Sequence, residues 1–207
     1  MDSNLFYEKD NVIPESLCNE IIRLFEEDDN KEDGKVDIAD DTPDIILKNF
    51  KQSIELGITN GGNKWLEIDK LLQNIIEKNE IEYIDSIGKN LKSRGMDNVV
   101  QDMIFESIFN EMYDIGYTIS RIDKGMRYEW HEDSGGISSG SLFGCIIYLN
   151  TLHDHEGGMT EFINGKTVQP KVGKILFFPT TWSNFHRGCE VKGRSKYIIT
   201  TTIRRKS

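Results

Sequence analysis

Residues 159–178, MTEFINGKTVQPKVGKILFF, decide the fold class that the sequence predicts. Three short segments rich in β-branched and aromatic residues, 159–163, 166–168 and 174–178, are separated by turn residues. Asn164-Gly165 between the first two segments is typical of a β-hairpin with a type I′ turn. The stretch therefore predicts short strands joined by tight turns.

The same pattern extends in both directions, from about residue 115 to residue 203. Further strands are predicted at 115–122, 127–131, 142–149 and 196–203. Many short strands with tight turns favour a sandwich or barrel with helices packed outside it.

Before residue 115 the apolar residues recur at helical spacing. Pro14 suits the first position of a helix, and helical patterns follow at 17–25, 45–56, 65–76 and 99–112. We expect these apolar stripes to pack against the rest of the protein. The sequence thus predicts an α+β protein with two regions. Residues 1–112 form a mostly helical region that supports the core, and residues 113–207 form the β domain.

Composition excludes several classes of function. The 207 residues include 25 Lys and Arg against 35 Asp and Glu, a net charge of −10, which disfavours binding to nucleic acid or anionic membranes. The longest nearly apolar run, 142–149, is too short to span a bilayer, and the N-terminus lacks a signal-peptide pattern. Three cysteines without a CxxC pair suit a reducing compartment. We therefore expect a soluble, cytoplasmic protein; its oligomeric state is not predicted.

A candidate metal site begins at His131 and Asp133. Side chains two apart on a strand point to the same side and can share one metal ion. His186 is the leading candidate for a third ligand from a distant strand. Two histidines and one carboxylate form the facial triad of non-haem Fe(II) oxygenases.

Lys196 and Thr200 are a second candidate pair. They lie four residues apart on a predicted strand and therefore face the same way. A buried cation beside a hydroxyl, near an open metal site, suits a dicarboxylic acid that chelates the metal with one end and pairs with the lysine at the other.

The sequence resembles the 2-oxoglutarate- and Fe(II)-dependent oxygenases, specifically their prolyl 4-hydroxylase-like branch. The resemblance covers about residues 115–203, with a weaker similarity to the family's opening helix at 13–22. The matching segments are Gly125-x-x-Tyr128-x-x-His131-x-Asp133, Cys145-Ile146-Ile147-Tyr148-Leu149-Asn150, Glu156-Gly157-Gly158-x-Thr160-x-Phe162, Gln169-Pro170-Lys171-x-Gly173, Leu176-Phe177-Phe178, His186-Arg187-Gly188-Cys189-Glu190-Val191 and Gly193-x-x-Lys196-Tyr197.

The resemblance implies a fold, a reaction and roles for seven residues. The fold is a double-stranded β-helix, or jelly roll, with the metal at one open end. The reaction oxidises 2-oxoglutarate with O2 to succinate and CO2 and hydroxylates a C–H bond, with ascorbate as a candidate further cofactor. The implied iron ligands are His131, Asp133 and His186, and the implied 2-oxoglutarate-binding residues are Lys196, Tyr148, Thr200 and Tyr128.

The substrate is less well defined than the reaction. The resemblance implies a peptidyl proline, but Ile122 stands where many relatives have a tyrosine nine residues before the first metal histidine. Hydroxylation of a free amino acid or other small metabolite is therefore an alternative. A nucleic-acid demethylase is disfavoured by the negative charge. A non-enzyme alternative is an inactive β-helix that serves as a binding module.

Other polar clusters have less specific patterns. His153-Asp154-His155 is a competing metal candidate in a predicted exposed turn. The segment 134–141, rich in glycine and serine, is either a flexible connection or a lid over the substrate. Trp130, Trp182 and Arg187 flank the proposed ligands and are candidates for lining the pocket.

Overall fold

The computed structural model describes residues 5–36, 47–59, 61–134 and 140–206. The segment 135–139, most of the predicted lid, and residues 37–46 lie outside the described residues. Within the described ranges, no helix is both long enough and apolar enough to cross a membrane.

The described residues contain three α-helices and twelve strands. The helices are α1 (Glu15–Glu26), α2 (Asn63–Ser93) and α3 (Asn98–Phe109). The strands are β1 (Tyr7–Lys9), β2 (Glu32–Asp33), β3 (Ile54–Gly57), β4 (Met112–Asp114), β5 (Thr118–Ile122), β6 (Tyr128–His131), β7 (Ser141–Tyr148), β8 (Thr160–Phe162), β9 (Thr167–Val168), β10 (Lys174–Pro179), β11 (His186–Gly188) and β12 (Lys196–Arg205).

The strands form two antiparallel sheets of a jelly roll, the predicted fold class. The major sheet has the order β1-β10-β7-β12-β5-β3-β2, with β4 also paired to β12, and the minor sheet has the order β6-β11-β8-β9. β1 and β3 come from the region 1–112 and pair with β10 and β5. The major sheet is therefore shared between the two regions that the sequence distinguishes.

Alternation along the strands builds two apolar cores. On β10, Ile175 and Phe177 pack with Trp65 and Tyr83 of α2 in the larger core, between the helices and the outer face of the major sheet. Leu176 and Phe178 of the same strand, with Tyr148 and Phe162, form a smaller core between the two sheets. A side chain's position in the sequence thus determines whether it faces the helices or the space between the sheets.

The hairpin at Asn164-Gly165 is present, but the predicted type I′ turn is wrong. The Phe162 nitrogen donates to the Lys166 oxygen at 2.8 Å, which leaves a three-residue loop, and only Gly165 in this loop has positive φ, 87°. Such a loop is a turn followed by a left-handed residue, whereas a type I′ turn requires positive φ at both central residues.

Two helical expectations are also wrong. The pattern at 45–56 ends in strand β3, because Ile54 and Leu56 alternate with Glu55 and pair with the edge of β5. The apolar stripe of α3 does not pack against the rest of the protein as expected. Val99 and Met103 of this stripe are both 67% exposed, and the one buried residue of the helix is the polar Gln101.

Candidate metal centre and adjoining cavity

The minor sheet brings the three sequence-predicted metal ligands together. His186, at the start of β11, pairs in register with His131, at the end of β6, and Asp133 follows two residues later. The Nε2 atoms of His131 and His186 lie 3.7 and 3.6 Å from the two carboxylate oxygens of Asp133. One ligand atom from each residue lies within 4.8 Å of the others, and within the described ranges no other group of three such residues converges in this way.

Both imidazoles are oriented by backbone carbonyl groups. Nδ1 of His131 lies 2.8 Å from the Glu129 oxygen, and Nδ1 of His186 lies 3.2 Å from the Asn184 oxygen. An Nδ1–H that donates to a carbonyl leaves the Nε2 lone pair free to bind a metal, and metal-binding histidines commonly have such a partner. Both Nε2 atoms face Asp133, so the arrangement presents two nitrogens and one carboxylate to the same point.

Neighbouring rings hold the two imidazoles in place, and burial keeps His131 neutral. Tyr128 stacks on His131 at 3.6 Å between ring centroids, and the Phe178 ring packs against His186 at 4.7 Å. Burial, and secondarily the neighbouring His186, lowers the pKa of His131 well below its usual value. His131 is therefore an unprotonated donor at neutral pH.

The triad opens into a cavity of about 840 Å³ between the two sheets. Of the other sequence-predicted residues, Lys196, Thr200, Tyr128, Trp130 and Ile122 line it. The cavity therefore joins the triad to the residues proposed from the sequence to hold a dicarboxylic acid.

Lys196 is a buried cation on the inner face of β12. The side chain is only 4% exposed, and no carboxylate in the described part of the chain pairs with it. Its Nζ atom lies 5.6 Å from the centroid of the Tyr148 ring. Burial lowers the pKa of Lys196 to about 8.

Tyr148 is fully buried behind the wall of the cavity. Its hydroxyl lies 2.8 Å from Oγ1 of Thr160, which lines the cavity. Burial raises the pKa of Tyr148 above its usual value, so the phenol stays neutral. The structure thus places Thr160 between Tyr148 and the cavity, a residue that the sequence reasoning did not select although it stands in one of the quoted segments.

Gly157 and Gly158 let the chain pass close to Lys196. Their φ angles are +69° and +71°, a region that L side chains rarely adopt. A Cβ atom on Gly158 would lie 2.7 Å from Leu152 Cδ1 and 3.5 Å from Lys196 Cδ. The positive φ of both residues and the close approach of Leu152 to Gly158 therefore favour glycine in this turn next to Lys196.

One wall of the cavity comes from the N-terminal region and was missed by the sequence reasoning. Lys51 Nζ pairs with Glu55 Oε1 at 3.0 Å and lies 5.4 Å from the Tyr128 ring centroid, and Ser120 donates to the same Glu55 oxygen at 3.2 Å. These residues were assigned to a helix or to no site. Their position depends on the pairing of β3 with β5, which no local pattern indicates.

The remaining sequence-predicted candidates do not belong to the triad. His153 and His155 are exposed beside a short 3-10 turn, with parallel rings whose centroids are 5.9 Å apart. Arg187 packs over Trp130 at 4.9 Å and pairs with Glu161, while Trp182 is 77% exposed. Among these, only Trp130 lines the cavity.

The isolation of Lys196 predicts that the unliganded protein is destabilised by this residue. Lys196→Met removes the charge and keeps most of the volume, so we expect it to raise the free energy of unfolding at neutral pH by up to about 3 kcal/mol, the equivalent of the lowered pKa. Between pH 8 and pH 10.5 the unfolded chain holds the lysine proton more firmly than the folded chain does, so wild-type stability should rise with pH relative to the variant. Urea unfolding across this range measures the difference; a variant less stable than wild type at pH 7 would contradict the assignment.

Comparison with known proteins gives a family model that covers this centre and curated relatives that match part of the chain. Residues 117–204 match the family model of the 2OG-Fe(II) oxygenase superfamily. A segment of 76 residues is 34% identical to the human 2-oxoglutarate and iron-dependent oxygenase domain-containing protein 3; it covers 34% of this chain and 24% of that protein. The same protein from rat is 33% identical over 76 residues, again with 24% of its length covered. The match thus spans about a quarter of the length of these curated relatives.

Solved structures with the same fold include prolyl hydroxylases. The viral collagen prolyl hydroxylase of Paramecium Bursaria Chlorella virus-1, in its 2OG complex, has a TM-score of 0.64 and 16% identity, with 99% of this chain and 98% of that chain covered. A prolyl hydroxylase from Trichoplax adhaerens, in complex with a hypoxia inducible factor oxygen degradation domain peptide, has a TM-score of 0.65 and 15% identity, covering 98% of this chain and 84% of that chain. At these identities the likeness shows that the fold is the same.

Proposed function

We propose that the protein is an Fe(II)- and 2-oxoglutarate-dependent dioxygenase that hydroxylates a peptidyl proline, because residues 117–204 match the family model of the 2OG-Fe(II) oxygenase superfamily. One observation carries the proposal: a single cavity contains the donors of His131, Asp133 and His186 together with Lys196, which pairs with no carboxylate among the described residues. The proposed products are succinate, CO2 and the hydroxylated substrate, from one molecule each of 2-oxoglutarate, O2 and the C–H compound.

The donor set fits Fe(II). Two neutral imidazoles and one carboxylate are the ligands of the facial triad, which leaves the other metal positions for cosubstrate and O2. Bound there, Fe(II) would supply the one-electron and O2 chemistry that no side chain provides. The carbonyl partners of the two Nδ1 atoms would keep each ring in the metal-binding tautomer and orientation.

Lys196 is the proposed partner for the distal carboxylate of 2-oxoglutarate. Burial lowers the pKa of the Lys196 ammonium group, and a carboxylate next to it would raise this pKa again. The carboxylate would also accept a charge-assisted hydrogen bond from the ammonium group. Thr200 faces the same cavity from the same strand and is a further proposed donor. Tyr128 and Tyr148 would act from the walls, through the stack on His131 and through Thr160.

The peptidyl substrate is supported by the size of the cavity and by the neighbouring structures. The cavity continues from the triad to Glu32 and Lys35 at one edge and to Arg204 at another, which is more room than 2-oxoglutarate needs. The neighbouring structures are named as a collagen prolyl hydroxylase and a prolyl hydroxylase with a bound peptide.

The products of turnover test the proposal. With Fe(II), 2-oxoglutarate, O2 and ascorbate, we expect proline-containing peptides to gain the mass of one oxygen atom, with one succinate formed per hydroxylation. Mass spectrometry and succinate quantification measure both. If free amino acids and no peptides are hydroxylated, the substrate is a small metabolite and not a peptidyl proline. If the folded, iron-loaded protein forms no succinate, the alternative of an inactive binding module is favoured.

A further inference from the structure

Arg204 lies on the cavity face of the strand that carries Lys196. Along β12, Ile198, Thr200, Thr202 and Arg204 share the parity of Lys196, and all five line the cavity. The side chain of Arg204 is half-buried, and its Nε atom is inaccessible to solvent. These five residues form a row along β12, with the buried Lys196 at one end and the guanidinium group of Arg204 at the other.

This guanidinium group has no acceptor in the described part of the chain. Its buried Nε atom makes no hydrogen bond. The carboxylate nearest in register, Asp114, pairs with Ile203 and faces the other side of the sheet, where it accepts hydrogen bonds from Gly116 N at 2.9 Å and Tyr117 Oη at 2.8 Å. Burying a charged donor without an acceptor is costly, so the position favours an anionic ligand.

Two other cations, one on the cavity wall and one on the same strand, already have partners. Lys51, on the opposite wall, pairs with Glu55 at 3.0 Å. Arg205, the next residue of β12, faces away from the cavity and donates from Nη1 to the Ser107 oxygen at 2.7 Å. Among the described residues, Arg204 therefore differs from these two in having no acceptor, so its guanidinium group can donate to a carboxylate from outside the chain.

A series of contacts relates His186 of the triad to Thr202, two residues before Arg204 on the same strand. The Phe178 ring covers Gly144, since a Cβ atom there would lie 2.4 Å from Phe178 Cζ, and the His186 ring packs on Phe178. Gly144 pairs with Thr202. Arg204 is two residues beyond Thr202, about 7 Å along the strand, on the side away from Lys196.

We infer that Arg204 binds a carboxylate group of the substrate, located within about two residues of the oxidised carbon. The inference rests on the proposed function, because it assigns 2-oxoglutarate to Lys196 and the substrate to the other end of the row. Two residues of extended chain span about 7 Å, so the carboxylate belongs to an acidic side chain that flanks the target proline or to the α-carboxylate of a free amino acid. Arg offers a bidentate fork for either one.

The test uses labelled peptides with one central proline and Asp at each of the two positions on either side, each matched by an Asn peptide. Fluorescence anisotropy with the wild-type protein should give a dissociation constant at least about tenfold lower for Asp than for Asn at one position. Arg204→Gln should remove this difference, and Arg205→Gln, the matched control on the opposite face, should keep it. Arg204→Glu should prefer Lys to Asp at the same position, which also excludes misfolding as the cause.

Free proline and prolinamide, measured by calorimetry, distinguish the two sources of the carboxylate. If the wild-type protein binds proline more tightly than prolinamide and Arg204→Gln does not, the inference stands, and the substrate is a free amino acid instead of a peptide. Equal binding of every Asp and Asn pair and of proline and prolinamide, or no binding of any of them, would overturn the inference. Succinate formation by the wild-type protein, measured separately, shows whether the proposed dioxygenase function stands in that event.

Discussion

Asp133→Ala is expected to lower succinate formation by more than about 100-fold and to leave the purified protein without stoichiometric iron. The carboxylate faces both Nε2 atoms, so its removal leaves two neutral donors and no negative charge to hold a divalent cation. Loss of residues that only support metal ligands commonly costs 10- to 100-fold, and loss of a ligand should cost more. Metal analysis and succinate quantification on the same preparation measure both effects.

The sequence offers a matched control for this prediction. Asp154 is an aspartate next to histidines as well: it stands between His153 and His155 in the sequence, in an exposed turn. Asp154→Ala should keep wild-type iron and turnover, since His153 and His155 belong to no convergent group of three donors in the described ranges. Wild-type iron content in Asp133→Ala, or loss of iron in Asp154→Ala, would move the metal site to the other cluster.

Lys196→Met is expected to raise the KM for 2-oxoglutarate by about 100-fold or more. The cosubstrate's distal carboxylate would enter a site where burial excludes water, and removing one partner of a buried ion pair commonly costs 3–5 kcal/mol. The kcat at saturating cosubstrate should fall much less, because Lys196 binds the end of the molecule remote from the reaction. Steady-state kinetics with varied 2-oxoglutarate gives both values.

Two further variants make this result specific to the charge. Lys196→Arg keeps the cation and should restore part of the affinity, and Lys192→Met removes an exposed lysine nearby and should change nothing. The same Lys196→Met protein should be more stable than wild type without cosubstrate. A residue with a purely structural role would not combine higher stability with weaker binding. An unchanged KM in Lys196→Met would remove the lysine from the cosubstrate site.

The β half of the fold was predictable because its information is local. Alternation and turn residues located β5 to β10 and β12 to within a few residues, and the resemblance gave the jelly roll. Strand β11 was not predicted because, unlike β8 and β9 on either side of Asn164-Gly165, it follows no hairpin turn and pairs with strands distant in the sequence, β8 and β6. The turn at Gly165 was predicted with the wrong geometry because the same Asn-Gly pair fits two kinds of hairpin loop.

The candidate site was predictable only where one strand or one motif carries it. The spacing of His131 and Asp133 indicated a shared side of the chain, and the structure brings His186 to the same point. The wall formed by Lys51 and Glu55 depends on β3 pairing with β5 across more than sixty residues, an arrangement without a local signal. In α3 the local signal is present but incomplete: the apolar periodicity correctly predicts a helix, but it does not show which surface the apolar stripe would contact, and the stripe is exposed.

Anaerobic titration of the metal-free protein with Fe(II) and 2-oxoglutarate tests the central claim most directly. We expect a weak visible charge-transfer band to appear when both are present, to be lost in His131→Ala and to need far more 2-oxoglutarate in Lys196→Met. This result would show that the triad and the buried lysine act on one metal–cosubstrate complex. A folded wild-type protein that binds no Fe(II), or a band that His131→Ala leaves unchanged, would contradict the account.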